Sequence, residues 1–383
     1  MRLSKLISSA VVVSLLTIGM SAFADNHERK AFSVGTELRA QYTYNTNSIL
    51  EGDTADVNDS PAPDNIFGGI AKLVFHGNIG SRTKYFLRYS LFDSIYGTHV
   101  PLGGVEAAHV SHNLGLFAVR LGANYTNMGG FEQKMRQFDA QFISAGMDGS
   151  ATISVPNATG TGATSTEVRT GVNRWGLTIP SFDLMVNLAD KGKVTVQLTN
   201  DVRVNNISAG NPNNDEVYLQ PSLLVEWHGK FGSIQPLLQY GFTDQGKYHA
   251  LSAGIAFKDR GTGLDLTLDF SKNFETISGS DDDAASWTNI AVQAGINVRQ
   301  FMPFAKFAWS DYEQQPTNSE TNSAVPLFDD NKIEWVVGSY MRMDGNAFKP
   351  YLAIHGEHGN FPDGTDEESK SNLDVRLGVM SKF

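Results

Sequence analysis

Most of the basic residues that could act on a charged solute lie on the polar side of segments in which apolar and polar residues alternate. They are Arg39, Lys72, Lys84, Arg88, Arg120, Arg174, Lys306, Lys349 and Arg376, and Glu37, Asp265, Asp269 and Asp374 add acidic groups at similar positions. On the wall of a water-filled pore, charges of both signs set up a transverse field that selects ions, and they need no buried partner because the pore is wet. Arg88 and Arg120, in the middle of their segments, are best placed for a constriction. The alternative is that several of these side chains lie near the rims and face headgroups.

No group of residues in the chain predicts bond-making chemistry. There are nine histidines and no cysteines. A hydrolase would need a Ser–His pair oriented by a third polar residue, or Asp and His together at a rim, and neither arrangement is recognisable. His355 and His358 flank Glu357 without a further metal ligand, and the acidic runs 281–283 and 363–368 lack the spacing of a calcium-binding EF-hand loop. We therefore predict neither an enzyme nor a cofactor or metal.

The segments that carry these charges alternate with a period of two residues, which is typical of β-strands. Each is about 10 residues long, the length that crosses the hydrocarbon of a bilayer at a tilt. The clearest are 32–44, 67–79, 85–91, 117–125, 217–227, 234–242, 249–257, 264–270, 288–298, 303–309, 333–343, 348–354 and 373–383. No break in composition suggests a second domain. The sequence therefore predicts a single all-β domain over residues 25–383.

The last eleven residues predict how these strands close. Leu373, Val375, Leu377, Val379 and Phe383 share one face, and charged residues occupy the other. An unpaired strand edge in lipid would leave backbone groups without hydrogen bonds, so such strands close into a barrel. An amphipathic edge strand of a soluble sandwich is the alternative. The ending resembles that of Gram-negative outer-membrane β-barrels, whose terminal Phe is a signal to the barrel-assembly machinery, a role that the resemblance gives to Phe383.

The N-terminus predicts export. Residues 1–24 combine the basic Arg2 and Lys5, the apolar stretch 6–20 and small residues that end at Ala24, which is the pattern of a cleaved secretory signal peptide. No other stretch approaches the ~20 consecutive apolar residues of a transmembrane helix. The formal net charge of −11 argues against nucleic acid as a partner. The expected location is the Gram-negative outer membrane.

The number of strands follows from the connections. Short turns alternate with long polar stretches at 45–64, 202–215, 275–286, 313–331 and 356–370, so both chain ends lie on the short-turn side and the strand number is even. Five strands precede residue 126, and a regular series runs from Phe182–Leu188 to the C-terminus. Residues 168–178 also look like a strand. Either they continue the 182–188 strand through a bend at Pro180, which gives sixteen strands, or another strand lies within 150–156, which gives eighteen. We favour sixteen.

The longest irregular segment, 126–167, follows the fifth strand. Residues 131–145 are amphipathic at helical spacing, with Phe131 and Phe138 on one side and Glu132 and Asp139 nearby. We predict that this segment folds into the barrel and constricts the pore, and that Glu132 and Asp139 line the constriction. An external lid or a contact between subunits is the alternative.

Over residues 25–383 the chain resembles the Gram-negative outer-membrane porins, most closely the general porins, through its topology and terminal Phe. Residues 106–132 resemble more weakly the phosphate-selective O/P-type porins. The resemblance implies a passive channel for ions and small hydrophilic solutes, a homotrimer, and contact with outer-membrane lipids and lipopolysaccharide. An anion- or phosphate-selective channel, a receptor or adhesin, and a barrel enzyme are the alternatives.

Overall fold

The computed structural model describes residues 32–45, 65–93, 104–133, 150–156, 163–169, 178–204, 217–243, 248–259, 261–276, 284–314, 330–343, 347–363 and 366–382. The predicted signal peptide 1–24, Asp139, Arg174 and Phe383 lie outside these residues. Among the residues described, no helix is both long and apolar enough to cross a membrane.

The described chain is almost entirely β-structure. Its strands are β1 (Ser33–Asn45), β2 (Asn65–Ile79), β3 (Thr83–Asp93), β4 (Gly104–Asn113), β5 (Phe117–Tyr125), β6 (Ser150–Pro156), β7 (Ala163–Arg169), β8 (Thr178–Asn187), β9 (Gly192–Val204), β10 (Val217–Gly229), β11 (Ile234–Thr243), β12 (Tyr248–Asp259), β13 (Leu264–Thr276), β14 (Ala284–Gly295), β15 (Phe301–Gln314), β16 (Asp330–Met341), β17 (Phe348–Asp363) and β18 (Asp366–Lys382). A single turn of helix, α1 (Gly130–Gln133), follows β5, and a 3₁₀ turn (Ala189–Lys191) follows β8.

Sixteen of the described strands form one closed antiparallel barrel, as predicted. Neighbouring strands pair in sequence order except that β5 pairs with β8. The barrel closes between β1 and β18, with Glu37 opposite Lys382 and Asn45 opposite Asp374. Because the sheet closes on itself, the inter-strand hydrogen bonds leave it no free edge.

The alternation in the sequence separates the two faces of this barrel. Along β12, Leu251, Ile255 and Phe257 face outward and are exposed, while Ser252 and Ala256 face inward and are buried. The same apolar outer face continues around the barrel, and its exposed members include Phe67, Leu121, Leu377, Val105, Val337 and Leu352. An apolar outer band over a polar interior is the arrangement expected of a barrel surrounded by lipid.

The strand number sixteen is confirmed, but the explanation offered for it was wrong. Residues 168 and 169 belong to β7, which pairs with β6 in a separate two-stranded sheet, so they do not extend β8. The strand considered within 150–156 exists as β6 but does not join the barrel. Local alternation detects such strands, but it does not distinguish a hairpin inside a connection from a wall strand.

The two ends of the barrel differ in the lengths of their connections. The short-turn rim, defined here by the connections 80–82, 114–116, 188–191, 230–233 and 296–300, also contains the first residues of β1 and the last of β18. Connections at the other end are mostly longer. The predicted long polar loop 356–370 is wrong, because β17 runs to Asp363, β18 starts at Asp366, and the two pair along this whole stretch.

Candidate functional site: the barrel lumen

The inner wall of the barrel is polar and largely buried. Gln197 on β9, Gln239 on β11 and Asn289 on β14 face inward and are almost inaccessible to solvent. Each lies between outward-facing neighbours, as the alternation of a strand requires. The lumen is therefore lined by closely packed hydrogen-bonding side chains.

The predicted basic residues of β2 and β3 meet carboxylates in this wall. Lys72 Nζ lies 2.5 Å from Glu106 Oε1, and Arg88 contacts both Glu37 and Glu106, the latter at 3.5 Å. Arg88 also donates a 2.7 Å hydrogen bond to the hydroxyl of Tyr125. Lys72 and Arg88 are 1% and 4% exposed. The expectation that lumen charges need no buried partner is wrong here, because at this burial an unpaired charge would be strongly destabilising.

Arg39 has a different environment, made by aromatic and amide groups. Its Nε donates a 2.9 Å hydrogen bond to Tyr351 Oη, and its guanidinium lies 5.4 Å from the centre of the same ring. Gln41 accepts hydrogen bonds from both Arg39 and the Tyr351 hydroxyl. These contacts bridge β1 and β17 across β18. They hold the Arg39 guanidinium in a fixed position against the wall.

Arg120 lies on β5 and is anchored by β8. Its Nε donates a 2.7 Å hydrogen bond to Asp183 Oδ2, and Ser181 donates to the other oxygen of the same carboxylate. Asp183 is fully buried, whereas the Arg120 side chain is one-fifth exposed. Arg88 and Arg120 therefore both face inward and are both paired with acids. Their role in a constriction remains a prediction.

Three further predicted residues face the lumen elsewhere. Lys84 is exposed near the short-turn rim, and Lys349 lies on the inward register of β17, close to the same rim. Arg376 donates a 2.7 Å hydrogen bond to Asp374, and a ring nitrogen of His355 lies 2.9 Å from the same carboxylate. The predicted inward set thus divides into several ion-paired groups and does not form one continuous row.

The segment after β5 crosses the interior of the barrel. Residues 126–132 are buried, and four of their backbone N–H groups donate to inward-facing side chains of distant strands. Asn127 donates to Gln197 at 2.9 Å, and Gly130 donates to Gln239 at 2.7 Å. These acceptors belong to β9 and β11, so the start of the predicted loop folds inward. The bounds 126–167, and the narrowing of a pore by this segment, remain predictions.

The crossing ends at a buried ion pair on the far wall. Glu132 Oε1 lies 2.6 Å from Lys306 Nζ, and both side chains are 0% exposed. Asn289 donates a 2.9 Å hydrogen bond to the other Glu132 oxygen. Lys306 lies on β15, which is eight strands from β5 in either direction around the barrel. Glu132 therefore ties the crossing segment to the wall opposite its own strand.

Asp269 on β13 fixes the turn that presents Glu132. Its two carboxyl oxygens accept hydrogen bonds from the N–H groups of Phe131, at 2.9 Å, and Glu132, at 3.0 Å. Gly130 has a φ of +68°, in the left-handed region that glycine adopts most readily. Gly254 of β12 lies opposite Asp269. A Cβ at position 254 would lie 2.2 Å from the Asp269 carboxyl oxygen. Two glycines thus provide the backbone conformation and the space for this contact.

An apolar contact adds to these hydrogen bonds. Phe131 packs with Leu237 of β11 and Ala256 of β12, and its ring meets that of His228 edge-on at 5.8 Å between centres. Phe131 and Glu132, together with Asp269 and Lys306, form what we call the α1–wall contact. The sequence had placed Glu132 and Lys306 on the lumen side but had not paired them.

A Ser–His contact occurs outside the lumen. Ser371 Oγ lies 2.7 Å from His358 Nδ1, and both residues are exposed on the outward register of β18 and β17. In a hydrolytic triad the base faces serine through Nε2 and uses Nδ1 for the orienting carboxylate. The contact seen here has the wrong ring nitrogen toward the hydroxyl. Within the described ranges, no group of three or more His, Cys, Asp or Glu residues is arranged to hold a metal ion.

Several partners in the lumen were not predicted as site residues. Glu106 contacts both Lys72 and Arg88, and Asp183, Tyr125 and Tyr351 each contact one of the predicted cations. Glu106 lies where the pairing of β3 with β4 shifts between Arg88 and Tyr89. Such a shift turns a side chain out of strict alternation. The local pattern of apolar and polar residues does not predict where the shift occurs. Asp183 was detectable as an acid on the inward register of its strand.

Comparison with known proteins identifies the fold. No protein-family model matches the chain, and no curated protein matches its sequence. Among solved structures, the chain is similar to OmpT, an outer-membrane protein of Vibrio cholerae, with 9% identity over 93% of this chain and 99% of that one and a TM-score of 0.54. It is also similar to OmpF of Salmonella typhi in complex with daunomycin, with 12% identity over 92% and 97% of the chains and a TM-score of 0.54.

A third similar structure is the outer-membrane channel DcaP of Acinetobacter baumannii, with 9% identity over 92% of this chain and 97% of that one and a TM-score of 0.54. At such low identity these likenesses concern the fold alone. The sixteen-stranded barrel of this chain is thus similar in fold to these outer-membrane proteins and to a variant of Rh. blastica porin, with 10% identity and a TM-score of 0.50.

Proposed function

We propose that the protein is an outer-membrane porin, a water-filled channel for passive diffusion of ions and small hydrophilic solutes. The observation that carries the proposal is the closed barrel whose polar, charged lumen is crossed by the segment that ends at Glu132. An apolar outer face requires lipid around the barrel, and a polar inner face tolerates water within it. The fold shared with porins supports the same conclusion.

The charge pairs bear on the kind of channel that we propose. Lys72, Arg88 and Arg120 each contact an acid, and so do Lys306 and Arg376. In a strictly anion-selective pore, a row of basic side chains would face the solvent without neighbouring carboxylates. The basic residues named above have carboxylates beside them. Paired charges produce local dipolar fields across the lumen and little net charge. This pattern favours a general diffusion channel over a phosphate-type one.

The catalytic alternative has weaker support. The Ser371–His358 contact faces outward and presents Nδ1 to the hydroxyl, an arrangement that does not activate serine. A conducting lumen needs no nucleophile, and the buried polar groups of the wall are explained by their mutual pairing. We therefore propose that the protein is not an enzyme.

Export and assembly complete the proposal. Cleavage after Ala24 would release residues 25–383, and Phe383 would direct insertion by the barrel-assembly machinery. N-terminal sequencing of protein isolated from outer membranes tests the cleavage site. We also propose a homotrimer in contact with lipopolysaccharide and lipid. A trimer form is among the OmpT structures of Vibrio cholerae that the chain resembles in fold. Chemical cross-linking in native membranes tests the trimer.

Liposome swelling tests the channel itself. Vesicles that contain the refolded protein should swell in isotonic solutions of small sugars, at rates that fall steeply as the sugar becomes larger. Vesicles with the same protein denatured by heat serve as the control. Swelling no faster than in this control, from protein that migrates as a folded barrel on unheated gels, would contradict the proposal.

A further inference from the structure

A cavity of about 640 Å³ lies inside the barrel at the short-turn rim. It is bounded by the inner faces of β1 to β4 and by the end of β18. Sites for small molecules commonly have volumes of about 300–1,000 Å³. The cavity is separate from the α1–wall contact, whose Asp269 and Lys306 lie on β13 and β15 and are not among its lining residues.

The lining of the cavity is net positive. Lys84, Arg88 and Lys382 contribute three cations, and Glu37 is the only carboxylate among the described lining residues, so their formal charge is +2. Glu106 lies just outside the lining and contacts both Arg88 and Lys72. Because the charges of Glu106 and Lys72 cancel, including both residues leaves the formal charge at +2. Elsewhere on the described wall, Arg120, Lys306 and Arg376 each contact a carboxylate.

The cations differ in how firmly they are held. Arg88 is buried and fixed by Glu37 and by the Tyr125 hydroxyl. Lys84 is exposed, and Lys382 reaches Glu37 at 2.9 Å while its side chain remains 63% exposed. Long ammonium side chains of this kind can turn toward an anion at small cost, because they are already hydrated. The cavity thus combines a buried guanidinium with two exposed ammonium groups.

Imidazole and aromatic groups on the same wall complete the lining. The imidazole of His109 stacks on Phe86 with 5.2 Å between ring centres, and His76 lies on the neighbouring strand β2. Imidazole nitrogens can donate hydrogen bonds to an oxyanion, and a ring pair offers a flat apolar border. Together these groups are suited to a small molecule with one charged end.

We propose that this cavity binds an oxyanion, the carboxylate or phosphate group of a small solute, at the short-turn end of the channel. Lys84 and Lys382 are the specificity-determining groups, and Arg88 positions the charge. The proposal deepens the proposed channel function and rests on it for the solute's route to the cavity. Binding itself requires only the folded barrel, so it can be tested without conduction.

The test is equilibrium binding to the refolded full chain in detergent, measured by isothermal titration calorimetry. The probes are sodium phosphate and sodium succinate, each compared with sodium chloride at equal ionic strength. Saturable heat is expected for at least one of the two oxyanions and not for chloride. In the double variant Lys84→Gln with Lys382→Gln, affinity should fall about tenfold or more, because two charge-assisted hydrogen bonds are lost.

A matched variant separates a local site from general attraction to a basic rim. Lys191→Gln with Lys230→Gln removes the same charge from exposed residues near the short-turn rim that do not line the cavity. This control pair should bind the oxyanions as the unmodified chain does. Equal loss of affinity in both pairs, or no oxyanion binding by the unmodified chain, would overturn the proposal. If the double variant does not fold, Lys84→Gln alone carries the same comparison against Lys191→Gln.

The two proposals can fail separately. Anion binding without conductance in the same preparation would contradict the channel and leave the cavity supported. Conductance without anion binding would contradict the cavity and leave the channel supported. Binding of phosphate but not succinate, or the reverse, would support the site and identify the oxyanion that it prefers.

Discussion

The ion pair between Glu132 and Lys306 offers the sharpest test of how the crossing segment is held. Lys306→Met removes the cation and keeps a side chain of similar length. Both partners are fully buried at 2.6 Å, and removing one member of a buried pair costs about 3–5 kcal/mol because the other charge stays buried without compensation. The hydrogen bonds between barrel strands do not depend on this pair. The cost therefore falls mainly on the attachment of residues 130–133.

At about 1.4 kcal/mol for each factor of ten, such a loss shifts the equilibrium between attached and detached segment by roughly two to three and a half orders of magnitude. Single-channel recording should then show a larger or noisier open level than that of the unmodified protein. Urea unfolding in lipid vesicles should show a lower free energy of unfolding. Glu132→Gln retains the contact with Asn289 and removes the other charge of the pair, that of the Glu132 carboxylate.

The double variant Lys306→Met with Glu132→Gln completes a double-mutant cycle. It should be less destabilised than the sum of the single variants, because no buried charge is left without a partner. Lys258→Met is the matched control, since its 3.4 Å contact with Asp265 is about half exposed and exposed pairs contribute little. Additive effects of the two substitutions, or a Lys306→Met protein that behaves like the Lys258→Met protein, would refute the reasoning.

Three further predictions follow from the lumen and the outer face. Arg88→Ser with Arg120→Ser should move the reversal potential toward cation selectivity, because their carboxylate partners remain; an unchanged potential would exclude both arginines from selectivity. Gly254→Ala should push the Asp269 carboxyl away from the crossing segment and raise the conductance, whereas Gly295→Ala on β14, where a Cβ would make only ordinary contacts at 3.8 Å or more, should leave it unchanged. Leu352→Arg, on the exposed outer face of β17, should cost about 2–4 kcal/mol of unfolding free energy in lipid if it lies near the bilayer midplane; a neutral effect would argue against lipid at that face.

Much of the fold could be predicted from the sequence, because a strand between lipid and a polar lumen has a local pattern of alternating apolar and polar residues. Alternation at residues such as Leu251, Ser252 and Ile255 depends only on which face each residue occupies. Parity and the short turns limited the strand number to sixteen or eighteen, and the choice of sixteen rested on an explanation that the structure contradicts. The error over residues 168–169 arose because alternation is equally present in the β6–β7 hairpin.

The partners in the lumen were much less accessible. Arg39 and Tyr351 are 312 positions apart, and Glu132 and Lys306 are 174 positions apart. Such pairs depend on the curvature of the closed sheet and on the path of the crossing segment, neither of which leaves a periodic signal. Inward basic residues could be predicted one at a time. Their neutralisation by Glu106 and Asp183 emerges only when the strands are assembled.

The most direct measurement is single-channel conductance of the refolded protein in a planar bilayer under a salt gradient. We predict discrete ohmic steps, grouped in threes if the protein is a trimer, with a modest reversal potential because the lumen charges are paired. A silent bilayer, from protein that shows the heat-dependent gel shift of a folded barrel, would contradict the channel.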